Sequence, residues 1–170
     1  MAIILPVKEH FPFIGEDTFV APNCTIVGDV TIGQYCSIWF NAVVRGDVNY
    51  IRIGNYSNIQ DNVTIHGTYE RNGTDIGRYV NIGHNAIIHG CTIHDYVLIG
   101  MGAIVMDRSI IESNVIVAAG AVILENTVCE SGYLYAGVPA KKIKPLTDDQ
   151  LHLLQKLPHN YVLYSSWFSD

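Results

Sequence analysis

Residues 93–123 read IHDYVLIGMGAIVMDRSIIESNVIVAAGAVI. Counted from Ile93, an aliphatic residue returns at every sixth position: Ile93, Ile99, Val105, Ile111, Val117 and Ile123. The fifth slot of each hexad is small or β-branched: Val97, Ala103, Ser109, Val115, Ala121 and then Thr127. A helix does not account for this, because six does not match a 3.6-residue turn and β-branched residues are too dense for helix preference. Short strands that turn every six residues do account for it. Three hexads then close one triangular coil, with the first-slot aliphatics stacked inside.

The same pattern runs upstream. First-slot residues are Ile14, Val20, Ile26, Ile32, Ile38 and Val44, with Thr18, Cys24, Val30, Cys36, Ala42 and Val48 in the fifth slot. The phase slips after Val44 and resumes at Ile53, Ile59 and Ile65. A loop from Gly67 to Asp75 interrupts it, Ile76, Ile82 and Ile88 follow, and one residue is dropped before Ile93. Gly15, Gly33, Gly54, Gly77, Gly83 and Gly100 fall in the second slot, where the chain turns and a Cβ is costly. Roughly eighteen hexads predict about six coils. At ~4.8 Å per layer the prism is ~30 Å tall. The fold class is therefore an all-β solenoid, a parallel β-helix over residues 1–140. Beyond Gly137-Val138-Pro139-Ala140 the pattern changes. Thr147-Asp148-Asp149-Gln150 is a capping box followed by Leu151, Leu154 and Leu157 at helical spacing. Pro158 is expected to break or kink that helix, with Tyr161, Tyr164, Trp167 and Phe168 forming a second apolar stripe. Residues 141–170 thus read as a C-terminal helical segment that packs on the prism or on a neighbouring subunit.

The chain has 170 residues, enough for one domain, with 49% hydrophobic and 15% charged residues. A formal charge of −6 argues against a nucleic-acid partner, which calls for a basic stripe. No run of 18 apolar residues suggests a membrane span. The start Met1-Ala2-Ile3-Ile4-Leu5-Pro6 does not read as a signal peptide. Cys24, Cys36, Cys91 and Cys129 form no C-x-x-C pair, so buried thiols in a reducing cytoplasm are expected.

His66, His89 and His94 all occupy the second slot, directly after a core aliphatic residue. Imidazole is the commonest metal ligand, and three histidines with an open fourth position are the usual holder of a catalytic zinc. His89 and His94 sit in consecutive hexads, so their outward directions diverge by about 120°, and copies packed around a three-fold axis would let them converge. His84 in the third slot, and His10, His152 and His159 outside the repeat, are expected to be surface residues. Arg45-Gly46-Asp47 falls where the phase slips and offers an Arg–Asp pair for a subunit contact. Gln60 is in the second slot one hexad before His66, and its amide can both donate to and accept from a reactive water. Asp61 beside it can orient a neighbouring polar group.

These motifs together resemble the gamma-class carbonic anhydrases of the hexapeptide-repeat superfamily. The likeness runs through Arg45-Gly46-Asp47, Asn58-Ile59-Gln60-Asp61-Asn62, His66, residues 83–94, Gly100-Met101-Gly102-Ala103 and Gly137-Val138-Pro139-Ala140-Lys141. It implies a left-handed β-helix and a homotrimer, with zinc, iron or cobalt at each subunit interface. By the match, His66 and His94 come from one chain and His89 from its neighbour. Gln60 orients the attacking oxygen, Arg45 and Asp47 hold the interface, Asp61 joins the hydrogen-bond network and Tyr161 lies near the pocket. The implied substrates are carbon dioxide and bicarbonate. The chain departs from the best-studied type, which has shuttle glutamates in an acidic loop. Here Val48 follows Asp47, and the 67–75 loop offers only Glu70 and Asp75, so a low hydratase activity is expected. The alternatives are an acyl-CoA-linked enzyme of this scaffold, thioesterase or acyltransferase, and a catalytically weak trimeric scaffold.

Overall fold

The computed structural model describes residues 1–168. The hexads form a parallel β-solenoid with three faces. One face stacks Ile3–Leu5, the first halves of Thr25–Ile32 and Val43–Ile53, Thr64–His66, Ile87–His89, Ile104–Val105 and Val122–Ile123. The second stacks Phe13–Ile14, the second halves of the same two long strands, Thr74–Ile76, Thr92–Ile93, Ile110–Ile111 and Val128–Cys129. The third runs from Phe19–Val20 through Ser37–Ile38, Asn58–Ile59, Asn81–Ile82, Leu98–Ile99 and Ile116–Val117 to Tyr133–Gly137. Among the described residues each face thus has seven parallel rungs instead of about six, because Ile3–Leu5 precedes the first counted hexad and Val128–Cys129 and Tyr133–Gly137 follow the last, one on each face.

The first-slot residues from Ile26 onward are buried and fill the column. Cys24, Cys36, Cys91 and Cys129 are free and buried within it. Burial pushes the Cys36 thiol up to about 11, and those of Cys91 and Cys129 to about 12, so all three stay protonated and unreactive.

The turns are made by two different slots. Positive φ occurs in the fourth slot, at Tyr35, Tyr56, Tyr79 and Tyr96 (56°, 60°, 58° and 58°) on one corner and mostly at asparagine or glycine on the others. A left-handed tyrosine costs about 1–2 kcal/mol. The four rings offset this by stacking at centroid spacings of 5.0, 5.0 and 4.8 Å. The second-slot glycines have ordinary φ, and their requirement comes from the neighbouring coil. A Cβ on Gly100 would stand 2.4 Å from the Ala119 backbone nitrogen. Gly100→Val is therefore expected to destabilise the column by at least the ~1–3 kcal/mol of an overpacked core. Denaturant midpoints check this, and an unchanged midpoint would mean the coils separate freely there.

The hairpin Tyr133–Gly137 and Ala140–Pro145 closes the end of the column, and its second strand runs antiparallel. Helix therefore begins at Asp148 and not near residue 141, because residues 140–145 still find a strand partner. The capping box forms as expected: the Thr147 hydroxyl accepts from the Gln150 N–H at 3.3 Å, and the Gln150 side chain accepts from the Thr147 N–H at 3.0 Å. Pro158 does not break the helix, which continues to Ser166. The proline removes one backbone hydrogen bond, but it and Leu154 are buried against the third face, and that packing holds the helix together. Tyr161 packs edge-on to Trp39 at 5.7 Å, and His159 lies over the tyrosine stack, 5.9 Å from Tyr56 and 5.8 Å from Tyr79. Among the described residues no helix is long and apolar enough to cross a membrane.

Candidate metal centre

The loop from 67 to 75 brings the strand of His89 into direct register on that of His66, although the two are 23 residues apart. Their rings stand one above the other at a corner, with 3.2 Å between His66 Nδ1 and His89 Nε2. Each outer ring nitrogen meets a carboxylate. His66 Nε2 is 3.0 Å from Asp47 Oδ1, and His89 Nδ1 is 2.5 Å from Asp107 Oδ1. A carboxylate only accepts, so both outer nitrogens carry hydrogen. In the neutral imidazoles the two inner nitrogens then face each other as lone pairs, an arrangement that calls for a proton or a cation between them. Two zinc-bound nitrogens at ~2.05 Å in tetrahedral geometry would be about 3.3 Å apart. The observed 3.2 Å fits that spacing. Carboxylate–histidine pairs of this kind are also the usual outer support of metal-binding imidazoles.

The support is itself held. The Arg45 guanidinium pairs with the second oxygen of Asp47 within the same chain. Burial alone would raise the Asp47 carboxyl, but hydrogen bonds from His66 and Arg45 outweigh it and hold the group below the usual carboxylate range. Asp107 is also held low: burial pushes upward, and Thr68, His89 and Asn72 together pull it further down. Both aspartates therefore stabilise the fold above the ordinary carboxylate pKa, and that contribution is lost as pH falls through their lowered values. Burial, only partly offset by Asp47, lowers the His66 pKa and favours the neutral, ligand-competent imidazole. The buried Thr74 hydroxyl donates to the His66 carbonyl at 2.6 Å and accepts from the Gly90 N–H at 3.0 Å, tying the two histidine turns together.

The other expected residues lie elsewhere in the chain. The resemblance puts His66 and His94 in one chain, yet it is His89 that stands beside His66. His94 follows a strand of the second face and is exposed one corner farther on. No three His, Cys, Asp or Glu side chains converge within the chain among the described residues. Gln60 closes a strand of the third face and is buried. Its Nε2 donates to Asn58 Oδ1 at 3.0 Å, and its Oε1 accepts from the His84 N–H at 3.2 Å. His84 Nδ1 lies 2.8 Å from Asp61 Oδ2. With Tyr161, Leu98, Met101 and Ala119, Gln60 and His84 line a cleft of about 280 Å³. Burial, then the charge of Asp61, raises the Tyr161 pKa.

Three residues of the histidine corner escape a reading of single hexads: Asp107, Thr68 and Asn72. Asp107 stands 18 residues after His89, one full coil, so adding one coil length to each histidine would have found it. Thr68 and Asn72 come from the irregular loop, where the hexad gives no register; both hydrogen-bond Asp107. Of the two acidic loop residues, Asp75 is taken up by the Tyr50 hydroxyl at 2.9 Å, and Glu70 is exposed.

A family profile described as "Bacterial transferase hexapeptide (six repeats)" matches residues 11–46 and 90–125. A carbonic anhydrase of Geobacillus kaustophilus is 43% identical over 94% of this chain and 87% of its own length. The mitochondrial gamma carbonic anhydrase 2 of Arabidopsis thaliana is 40% identical over 94% of this chain, which spans only 59% of that relative. A crystal structure of a hexapeptide transferase family protein from Anaplasma phagocytophilum superimposes with a TM-score of 0.94 at 39% identity, covering 98% of both chains. With these likenesses spanning nearly all its coils, the chain belongs to the hexapeptide-repeat family, among its gamma carbonic anhydrase-like members.

Proposed function

We propose that this protein is a metal-dependent hydratase of carbon dioxide that works as a homotrimer. The observation that carries the reading is the pair of opposed imidazole nitrogens at 3.2 Å, each backed by a carboxylate. His66 and His89 of one copy would supply two ligands. The exposed His94 of a neighbouring copy would supply the third, since its corner points away from the first two. A divalent metal held there, whether zinc, iron or cobalt, would make water acidic enough to be deprotonated near neutral pH. Asp47 and Asp107 keep the imidazoles in the ligating tautomer, and Arg45 fixes Asp47. Gln60 orients the oxygen nucleophile toward the carbon of carbon dioxide, Asp61 steadies the polar network, and Tyr161 closes the cleft from the helix. Carbon dioxide and water give bicarbonate and one proton. The four buried free thiols support a reducing, cytoplasmic setting.

Anaerobically purified protein loaded with zinc or iron is to be assayed in parallel on carbon dioxide and on CoA thioesters, with its mass in solution measured by light scattering. Hydration by a species of three chains is the expected result. Thioester turnover without hydration would move the assignment to an acyl-CoA-linked enzyme, and a monomer at micromolar concentration would remove the shared site. Asp107→Asn is expected to weaken metal binding about 10–100-fold with the circular dichroism unchanged. Chelator competition reads this directly, and full affinity in the variant would show that Asp107 does not orient His89.

A further inference from the structure

We propose that His84, oriented by Asp61, is the relay that carries the reaction's proton out of the Gln60 cleft. The inference rests on the hydratase reading and adds the step that reading leaves open. Hydration releases one proton per bicarbonate, and turnover stalls unless that proton leaves. Of the two acidic residues of the 67–75 loop, Asp75 is held by the Tyr50 hydroxyl, and Glu70 is exposed and is not among the residues that line the Gln60 cleft. His84 adjoins Gln60. Its backbone N–H bonds Gln60, the residue assigned to orient the reacting oxygen, and its side chain lines the same cleft. Its side chain is also 40% exposed, so one ring touches both the cleft and solvent.

The pairing with Asp61 gives the transfer a direction. Asp61 Oδ2 stands 2.8 Å from Nδ1, so a hydrogen on Nδ1 faces the carboxylate and Nε2 is the nitrogen assigned to take the proton. No hydrogen bond engages Nε2 among the described residues. Nε2 takes the proton from the cleft, the resulting imidazolium faces the Asp61 carboxylate, and the proton then passes to buffer, so His84 returns unchanged. The ionisable residues facing it are Asp61, against its ring, and Tyr161, which lines the same cleft, and imidazole is the side chain suited to exchange protons near neutral pH.

Oxygen-18 exchange between carbon dioxide and water at chemical equilibrium tests the assignment, because it reports interconversion of carbon dioxide and bicarbonate separately from release of labelled water. In metal-loaded His84→Ala the interconversion rate should stay at the wild-type level. Release of labelled water should fall on the order of 100-fold, and added imidazole should restore it. Both rates falling together without rescue would make His84 a structural part of the cleft, and neither changing would place the relay elsewhere. Wild-type protein that shows no exchange at all would overturn the hydratase reading and the relay with it. Nitrogen-15 spectra of the metal-free protein give a readout that needs no turnover. The His84 ring should appear as the Nδ1–H tautomer and lose that preference in Asp61→Asn, and an Nε2–H tautomer in the wild type would refute the proposal.

Discussion

His89→Ala protein is expected to fold as the wild type does and to come through metal loading with almost no bound metal and no hydratase activity. The fold should survive because the column is built from Ile88 and its first-slot neighbours, which are fully buried, whereas the His89 side chain projects from the corner and keeps 36% of its surface exposed. The site should not survive. Removing His89 takes away one of the two opposed nitrogens and leaves Asp107 without its partner. Loss of a ligand should exceed the about 10–100-fold in affinity that accompanies loss of a supporting carboxylate. Metal content by mass spectrometry, measured beside far-ultraviolet circular dichroism, checks both halves. Unchanged stoichiometry would reduce His89 to a surface residue. Loss of metal together with the β signal would make the site a structural one.

The second large effect concerns rate. Gln60→Ala is expected to keep its metal and lose about 10–1000-fold in turnover, the range seen when a donor aimed at the reacting oxygen is deleted. Gln60 is 6% exposed, and its amide is pinned at both ends by Asn58 and the His84 N–H, so it is held in place before substrate arrives. The same burial gives the substitution a cost in stability of about 1–3 kcal/mol, since the groups that bonded the amide lose a partner. Metal stoichiometry, thermal stability and stopped-flow hydration on one preparation separate the effects. A variant that loses metal along with rate would show that Gln60 supports the ligand corner and not the nucleophile. A variant with full rate would leave the oxygen to be oriented by another group.

Sequence alone determined the solenoid, because a six-residue period of buried aliphatics has no other compact solution. Every first-slot residue from Ile26 to Ile123 lies inside the column. It also singled out His66, His89 and His94, since a large polar residue in a slot favoured by glycine stands out against the repeat. The capping box at Thr147 was equally local and equally readable. What the hexad could not fix was register across its own irregularities. The slip after Val44 carries Asp47 to His66, and the 67–75 loop stacks His89 on His66 while its Thr68 and Asn72 reach Asp107. Each of these pairings joins residues a whole coil or more apart, and an insertion of a few residues changes which side chains share a corner. Only the tertiary structure decided that His66 pairs with His89 and that Pro158 stays within one helix. It alone showed that Asp61 holds His84 beside Gln60, because each outcome depends on packing between coils and not on the residues next in line.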